Sequence, residues 1–600
     1  MEDYSKMRKL LRFLKSYKLE TILGPFFKLL EACFELIIPL IVADIIDNGI
    51  ANSDRQYIIS RCLIMASLGF IGLICAISAQ YFAAKAATGF SAKLRLSLYD
   101  HIQRLSPTEK DSLGTSTLIT RMTSDINQIQ SGLNLVLRLF LRSPFIVLGS
   151  MVMAFTVDSK LGLIFAVTIP ILSVVVFGIM LISIPLYKKV QSRLDKVTLE
   201  TRENLNGTRV VRAFNHENAA IESFDKANTA HTKLQMSTGR LSALMNPLTY
   251  VIINIALVIL IDKGSVHVDT GIITQGELFA LVSYMSQILI ELIKLANLLI
   301  NITKAVACGN RVQSIFDIPE GMEKLSEEST SMPEHNGYIE FDNVELTYRN
   351  AGEPTLTNIN VTVGKGQTVG VIGATGSGKS SFVNMIPRFY DATKGAVYVN
   401  GKDVRTVDTE TLRSDIGVVP QKAVLFKGTV RSNLLWGNEG ASDAEMWDAL
   451  ELAQAADFIK KKEGLDTKVL QKGSNFSGGQ RQRLTIARAL VRRPEILILD
   501  DSTSALDLAT DAALRRAIAG LDYSPTVFIV SQRASSVRNA DIIVVLEDGE
   551  IVGLGTHDEL IRSCEVYIEI YRSQFGDDGV SDALKASENV KTAEGGTANA

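Results

Sequence analysis

The sequence has little cysteine and almost no net charge, and these two shortages exclude several functions. Its five cysteines stand at positions 33, 62, 75, 308 and 564, and no two have the spacing of a redox or zinc-binding pair. We expect small buried apolar groups instead. The 62 Lys and Arg residues nearly balance the 65 Asp and Glu residues, for a net charge of −3. Because binding of a nucleic-acid backbone needs a concentrated positive surface, the sequence predicts no nucleic-acid partner.

The apolar content is too high for a soluble protein and too low for one that lies wholly in a membrane. Hydrophobic residues make up 46% of the 600 residues and charged residues 21%. A chain of this length also exceeds what one hydrophobic core accommodates. We therefore expect at least two domains, one surrounded by membrane lipid and one by water.

Six segments are long and apolar enough to cross a bilayer, which takes about 20 helical residues. They are residues 21–46, 62–84, 135–157, 162–187, 245–261 and 274–302. Long segments rich in helix formers and basic residues separate the second span from the third and the fourth from the fifth, so we expect the helices to continue beyond the bilayer. Because basic loops stay inside, we expect a multi-pass protein of the cell membrane with both chain ends in the cytoplasm.

Changes in composition predict five regions along the chain. They are a basic amphipathic interfacial helix over 1–20, a membrane domain over 21–316, an acidic linker over 317–336, a second domain over 337–575 and a disordered polar tail over 576–600. In the second domain, strand-like runs alternate with helical stretches, which indicates a largely parallel sheet. The composition to this point predicts an α-helical six-span transmembrane domain followed by an α/β domain.

A complete phosphate-binding motif follows the strand-like run TVGVIG in the second domain. Its residues are Gly373, Ala374, Thr375, Gly376, Ser377, Gly378, Lys379 and Ser380, with Ser381 in the helix that follows. Backbone N–H groups of such a loop surround phosphate oxygens, Lys379 reaches the terminal phosphates and Ser380 reaches Mg²⁺. A chance Gly-rich turn is disfavoured because the motif is complete and lies between a strand and a helix. We therefore predict ATP and Mg²⁺ as cofactors.

A carboxylate at the end of a second buried strand supports the same prediction. Asp500 directly follows the apolar run 496–499, where it can reach a metal bound to the phosphates. Together the two motifs predict an ATPase fold without saying which kind. The predicted fold class is therefore an α-helical six-span transmembrane domain plus an α/β P-loop nucleotide-binding domain.

A third motif identifies the kind of ATPase. Ser477, Gly478, Gly479 and Gln480 follow Phe476 and resemble the LSGGQ signature of ABC ATPases, with Phe476 in place of the usual Leu. The resemblance covers nearly the whole nucleotide domain. It implies that Tyr348 stacks on adenine, that Gln421 lies in the Q-loop and reaches the metal, and that Ser504 to Asp507 form the D-loop. Residues 116–126 and 203–217 resemble the intracellular loops of ABC exporters, which carry the coupling helices.

The resemblance also implies a partner. In ABC exporters two such halves pair, and each ATP lies between the Walker A motif of one half and the signature of the other. One chain alone therefore cannot complete a site.

Two residues depart from the family pattern. Asp501 stands where efficient members have Glu, and Gln532 stands where they have the switch His. This combination resembles the degenerate-site subunit of heterodimeric bacterial multidrug exporters. It implies that the chain binds ATP but hydrolyses it poorly, and that its signature serves the catalytic site of a second, related subunit. A homodimer in which Asp501 works adequately stays open.

The transported substrate is not evident from any residue pattern. The resemblance implies amphiphilic small molecules or lipids, and we see no N-terminal peptidase-like extension that favours peptides. An ATP-gated channel is a further alternative, but no regulatory insertion follows the nucleotide domain and no ring of basic residues lines the spans. The six spans exclude a soluble ATPase of DNA repair or translation.

Charged residues inside the spans predict the transport path, because they are costly in lipid and tend to face a water-filled cavity. Lys28, Glu31 and Glu35 lie on roughly one face of the first span, and we predict that they line the cavity. For Glu35 an interhelical hydrogen bond is the alternative. Glu291 and Lys294 are three residues apart, a spacing that favours a pair. Arg142, together with Arg138, lies toward the cytoplasmic end of the third span, where we expect snorkelling or packing against the intracellular helices.

Overall fold

The computed structural model describes residues 7–322, 337–349 and 351–595 and separates into two compact units. A membrane unit comprises Met1–Arg104 and Thr115–Pro319, and a nucleotide unit comprises Leu105–Gly114 and Glu320–Ala600. The start of the predicted interfacial helix, most of the predicted linker and the end of the predicted tail lie outside the described residues. Residues 105–114 were predicted to belong to the membrane domain. In the structure they belong to the nucleotide unit, although the residues before and after them belong to the membrane unit.

The first half of the chain is helical. A 3₁₀ segment (Leu11–Tyr17) leads into α1 (Lys18–Asp44), and the helices that follow are α2 (Arg55–Arg104), α3 (Pro107–Leu113), α4 (Thr115–Thr120), α5 (Ile126–Leu139), α6 (Arg142–Val157), α7 (Ser159–Asn206), α8 (Thr208–Ala213), α9 (Glu217–Ala243), α10 (Met245–Asp269) and α11 (Gln275–Phe316). Among the described residues, five helical stretches are long and apolar enough to span a membrane, and they involve every helix here except α1, α3 and α8. The 27-residue α1 is the sixth span, although Lys28, Glu31 and Glu35 lower its hydropathy.

The membrane helices extend well beyond a bilayer, as predicted. With its 50 residues, α2 is about 75 Å long at 1.5 Å per residue, against a hydrocarbon core of about 30 Å. The core of the membrane unit lies along α11, which begins with a capping box between Thr274 and Glu277. On α11, Tyr284 and Met285 are fully buried, and the Tyr284 hydroxyl donates to the Leu36 carbonyl at 2.6 Å. This bond fixes α1 against α11.

The nucleotide unit contains a six-stranded sheet and a smaller antiparallel sheet. The strands are β1 (Ile339–Leu346), β2 (Leu356–Val363), β3 (Thr368–Gly373), β4 (Lys394–Val399), β5 (Lys402–Asp403), β6 (Ile416–Val419), β7 (Gly428–Thr429), β8 (Lys468–Val469), β9 (Ile496–Asp500), β10 (Thr526–Val530), β11 (Ile542–Glu547) and β12 (Glu550–Gly555). The larger sheet has the order β12-β11-β3-β10-β9-β6, parallel except for β12. The smaller sheet has the order β2-β1-β4-β5.

Helices cover the larger sheet. They are α12 (Lys379–Asn384), α13 (Thr409–Ser414), α14 (Val430–Leu434), α15 (Asp443–Leu452), α16 (Ala456–Lys460), α17 (Gly478–Leu490), α18 (Leu508–Ala519), α19 (Ala534–Val537), α20 (His557–Ser563) and α21 (Glu565–Gly595). Strands β3 and β9 both pair with β10 in parallel. Their carboxyl ends therefore meet at one edge of the sheet, which is where ligands bind in open α/β sheets. The predicted fold class is confirmed.

The tail that was predicted to be disordered begins within the last helix of the structure. After a break at Gly576, where φ is +73°, α21 continues to Gly595. Val580 and Ala583 are buried in the core of the nucleotide unit. Their helical spacing gives the segment an apolar face, which the polar composition of the tail concealed.

The short helix α3 packs within the nucleotide unit. Ser106 caps it by accepting from the Glu109 N–H at 3.2 Å. Glu109 forms an ion pair with Arg349, and Asp111 accepts from the Tyr390 hydroxyl at 2.7 Å. This segment lies directly before residues 116–126, the stretch that resembles an intracellular loop.

Candidate nucleotide-binding site

The predicted phosphate loop connects the end of β3 to the start of α12. Gly376 and Gly378 have φ of +91° and +94°, a conformation that L-residues with a side chain rarely adopt. A Cβ on Gly378 would lie 2.6 Å from a methyl carbon of Leu356, whereas one on Gly376 would meet nothing within 4 Å. Packing therefore requires glycine at position 378, whereas glycine at position 376 leaves the backbone open to a ligand.

Lys379 is a buried cation whose hydrogen-bond partners are mostly uncharged. Its Nζ donates to the carbonyls of Gly373 at 2.9 Å and Ala374 at 2.6 Å. Burial lowers the pKa of Lys379, and the nearby charges of Asp501 and Asp500 oppose that shift. Since neutral carbonyls do not balance a buried charge, the ammonium group fits an anionic ligand.

Ser380 and Asp500 form the candidate metal site. The Ser380 hydroxyl donates to Asp500 Oδ1 at 2.8 Å, and Asp500 is 6% exposed. Burial raises the pKa of Asp500, and the neighbouring Asp501 adds to the effect. No group of three or more His, Cys, Asp or Glu residues suited to a metal occurs in the described part of the chain. One carboxylate and one hydroxyl fit Mg²⁺, which takes few protein ligands and completes its shell with phosphates and water.

Asp501 and Gln532 line the same cavity as Ser380 and Asp500. Asp501 has a left-handed backbone, with φ of +44°, and its N–H donates to the Val530 carbonyl at 3.0 Å. Its carboxylate accepts from Gln421 Nε2 at 3.3 Å. Gln532 follows the end of β10. The Q-loop and the strand end after Asp500 are thus joined by a side-chain hydrogen bond.

A cavity of about 330 Å³ brings most of the predicted residues together. Ten of them line it, namely Thr375, Gly376, Gly378, Lys379, Ser380, Ser381, Gln421, Asp500, Asp501 and Gln532. Gly373, Ala374 and Ser377 belong to the loop without lining the cavity. The lining also includes Thr355 and Val530, which no sequence motif indicated.

The signature residues lie outside this cavity. Ser477 is the N-cap of α17, where its hydroxyl accepts from the Gln480 N–H at 3.3 Å and its N–H donates to Gln480 Oε1 at 3.1 Å. Gly478 and Gly479 form the first turn of the helix. Phe476 is 5% exposed and packs against the Phe458 ring, so the change from Leu is accommodated in the core.

Tyr348 also lies beside the cavity rather than in its lining. Its hydroxyl is 2.8 Å from Ser381 Oγ, and its ring meets Tyr390 edge to face with centroids 5.0 Å apart. It lines a second cavity of about 360 Å³ together with Tyr390 and Glu109. Tyr390 was missed from the sequence, because nothing along the chain links it to Tyr348.

The charged residues of the spans form ion pairs. Lys28 Nζ lies 2.6 Å from Glu31 on the same helix. Glu35 pairs with Arg142 at 2.6 Å, and Arg142 also pairs with Glu291 at 2.7 Å. Glu35 therefore makes the interhelical contact that was its alternative role.

Two further contacts complete this group. Lys294 Nζ is 2.8 Å from Glu291, which confirms the predicted pair, and the Ser143 hydroxyl donates to Glu291 at 2.7 Å. Arg142 does not snorkel but packs inside the membrane unit. Arg142 is 7% exposed and its guanidinium joins α1 to α11, a long-range pairing that single-sequence periodicity does not reveal.

Comparison with known proteins identifies the family. The profile of the ABC transporter transmembrane region matches residues 21–292, and the ABC transporter profile matches residues 356–504. An uncharacterized ABC transporter ATP-binding protein of Mycobacterium tuberculosis is 37% identical over 550 residues, which cover 91% of this chain and 94% of that protein. This chain belongs to the ABC transporter family. The lipid A-core flippase of Syntrophus aciditrophicus is 33% identical over 502 residues, covering 83% of this transporter and 82% of the flippase.

A solved structure shares the fold of the whole ABC transporter chain. A bacterial Atm1-family ABC exporter with ATP bound superposes with a TM-score of 0.78 at 22% identity, over 93% of this chain and 99% of that one. The family establishes an integral membrane ABC transporter with an ATP-hydrolysing domain, and the structural likeness shows the fold. The ABC domain implies ATP binding.

Proposed function

We propose that the chain is one subunit of a heterodimeric exporter and contributes a degenerate ATP site. Asp501 carries this proposal. The carboxylate lies beside the candidate metal site and is held by Gln421 at 3.3 Å, in the position where the family places a longer Glu. The missing methylene shortens the reach by about 1.5 Å, and a misplacement near 1 Å costs roughly 100-fold in rate.

The other predicted residues in and beside the cavity have proposed roles in binding. Lys379 and the loop backbone hold the terminal phosphates, Ser380 and Asp500 hold Mg²⁺ with Gln421 nearby, and Tyr348 stacks on adenine. Mg²⁺ would neutralise charge that develops on the phosphates. Gln532 can donate a hydrogen bond to a phosphate, but unlike His it cannot carry a proton or a positive charge. The site is therefore built to bind ATP and poorly equipped to activate water.

The signature of this chain serves the partner in this proposal. Its position outside the chain's own cavity supports this role, since the first turn of α17 is free to meet nucleotide held by another subunit. The partner, a second related half-transporter, would supply the missing Glu and His. We place both termini and the nucleotide unit in the cytoplasm, because the basic segments lie between spans two and three and between spans four and five.

The test is the ATP turnover at this chain's own Walker site in the assembled transporter, with the catalytic Glu of the co-purified partner replaced by Gln, for the unchanged chain and for its Asp501→Glu variant. We expect turnover of the unchanged chain to be low and to rise about 100-fold when the missing methylene is restored. Asp501→Asn is the matched control, because it keeps the short side chain and removes the charge, and its turnover should stay low. Turnover of the unchanged chain equal to that of Asp501→Glu would contradict the degenerate assignment.

The alternative is a homodimeric lipid exporter. It is favoured by relatives that are named lipid A-core flippases, at 33% and 29% identity. Co-purification from native membranes separates the two: a second related chain with Glu and His at the corresponding positions supports the heterodimer, and a stable pair of identical chains refutes it.

The substrates that we propose are amphiphiles, either lipids or amphiphilic drugs. The flippases among the relatives support a lipid-like substrate, and the charged group of α1 offers contacts for a polar head. ATP-dependent export of fluorescent lipids and amphiphilic dyes from proteoliposomes would measure it. Transport of neither class would refute it.

A further inference from the structure

The loop after β10 carries Gln532 into the nucleotide cavity, and its backbone is held from outside that cavity. This loop, residues 531–534, connects β10 to the short helix α19. Ser531 Oγ accepts from the Arg533 N–H at 3.0 Å, which fixes the first half of the turn. The carbonyl of Gln532 and the N–H of Ala534 point the other way, toward the C-terminal helix α21.

Gln574 of α21 bonds both of these backbone groups with one side-chain amide. Its Nε2 donates to the Gln532 carbonyl at 2.8 Å, and its Oε1 accepts from the Ala534 N–H at 2.9 Å. A primary amide presents one donor and one acceptor in one plane, so it can satisfy both groups together. The side chain therefore fixes the orientation of the peptide that carries Gln532.

The segment of α21 that carries Gln574 is firmly docked. Tyr567 is fully buried and its hydroxyl is 2.8 Å from His557 Nδ1, and Tyr571, one turn before Gln574, is 4% exposed. Beyond the break at Gly576, Val580 and Ala583 are buried as well. Gln574 itself is exposed apart from its two bonds, so its removal takes little from the core.

The same loop is tied on its opposite side to the predicted D-loop. Arg533 donates to the carbonyls of Ser504 at 3.2 Å and Leu506 at 3.4 Å. The position of Gln532 thus depends on contacts with both α21 and the D-loop, none of which involves nucleotide.

We propose that Gln574 is a positioning residue that sets Gln532 in the nucleotide site, so that the C-terminal helix controls ATP turnover without touching the nucleotide. The inference rests on the proposed role of Gln532 beside the terminal phosphate. It goes beyond that role by assigning α21 a part in the reaction.

The test uses the full-length chain assembled with its partner subunit in lipid nanodiscs, in a background in which this chain's own Walker site turns ATP over. Asp501→Glu is that background if it raises turnover, and the unchanged chain is the background if its own turnover is already high. Gln574→Ala removes both bonds. Gln574→Glu keeps the acceptor for the Ala534 N–H and places a second acceptor against the Gln532 carbonyl. Ser573→Ala is the control, since this exposed hydroxyl donates only to Ile570 of its own helix, at 2.8 Å.

Both Gln574 variants should lower kcat about tenfold, with the KM for ATP within about twofold, because a displacement of less than 1 Å has a cost of this order. The thermal midpoint without nucleotide should match that of Ser573→Ala. Unchanged kcat in both variants would overturn the proposal. So would a loss of kcat that comes with a lower thermal midpoint, because that pattern identifies a structural contact. The degenerate assignment is tested by the effect of Asp501→Glu on turnover. The present proposal is tested by the kcat of each Gln574 variant relative to the background that carries it, so the two can fail independently.

Discussion

Arg142 in the membrane unit and Lys379 in the nucleotide unit are both buried cations, but their partners differ. Arg142 lies 2.6 Å and 2.7 Å from two carboxylates, those of Glu35 and Glu291. The closest acceptors of Lys379 are two backbone carbonyls. The first charge is balanced inside the protein, whereas the second is matched by neutral groups and stays available to an anion.

This difference in partners indicates that the charge of Arg142 serves the structure, whereas the charge of Lys379 serves ligand binding. A buried ion pair that satisfies itself holds helices in register, and breaking it leaves a charge stranded in an apolar surrounding. The charged groups of a phosphate site differ, because burial disfavours their charged forms as long as no ligand balances the charge. The raised pKa of Asp500 and the lowered pKa of Lys379, both caused first by burial, have the signs expected of such a site.

Removal of Arg142 should have the largest effect on this comparison. Arg142→Leu leaves the Glu291 carboxylate, 2% exposed, without its guanidinium partner. We expect the free energy of unfolding to fall by roughly 3–5 kcal/mol, read as a lower thermal midpoint in detergent. The control is Arg61→Leu, which breaks an ion pair with Asp44. The two side chains are 37% and 26% exposed, so the thermal midpoint should fall far less than for Arg142→Leu. If the two variants lower the thermal midpoint equally, burial of the Arg142 ion pairs does not increase their contribution to stability.

Removal of the Asp500 charge should act in the opposite direction on the nucleotide-free protein. Burial raises the pKa of Asp500 above 3.8, so the folded state binds a proton that the unfolded state releases. This carboxylate therefore costs stability above about pH 3.8, increasingly until the pH passes the folded pKa. Asp500→Asn should raise the thermal midpoint without nucleotide at pH 7, with the gain disappearing toward pH 4.

The same variant should lose the stabilisation that ATP and Mg²⁺ provide. Ligand at 100 times its dissociation constant stabilises a protein by about 2.7 kcal/mol, and this shift in thermal midpoint should be absent in Asp500→Asn. Asp511→Asn is the matched control, because Asp511 is equally buried and bonds Arg515 and Ser536 away from the cavity. A lower midpoint for Asp500→Asn without nucleotide would contradict the proposed cost of burying this carboxylate.

What the sequence predicts depends on how far apart the interacting residues lie. The phosphate loop is one continuous segment between a strand and a helix, so its motif contains its geometry. The Glu291–Lys294 pair follows from helical spacing. Arg142 and Glu291 are 149 residues apart, and Gln574 is 42 residues from the carbonyl that it bonds. No periodicity connects such pairs, and the structure was needed to find them.

The tail shows a different limit of the sequence. Its polar composition predicts disorder, because few apolar residues are present to offset the entropy of ordering. Val580 and Ala583 are enough to dock it, since the preceding turns are already anchored by Tyr567 and Tyr571. Tertiary contact therefore decides the structure of a segment that composition alone leaves open.

Glu35 gives the smallest expected effect on stability and the sharpest test of the membrane network. Its side chain is 35% exposed, and Arg142 keeps its bond to Glu291 when Glu35 is neutralised. Glu35→Gln should therefore cost about 1 kcal/mol, because the amide oxygen still accepts from Arg142. If the carboxylate also faces the substrate, export of cationic dyes from proteoliposomes should fall while export of neutral dyes persists. Unchanged export of every dye would assign Glu35 to helix packing alone, like Glu291, and would leave the charge of the substrate to be recognised elsewhere in the spans.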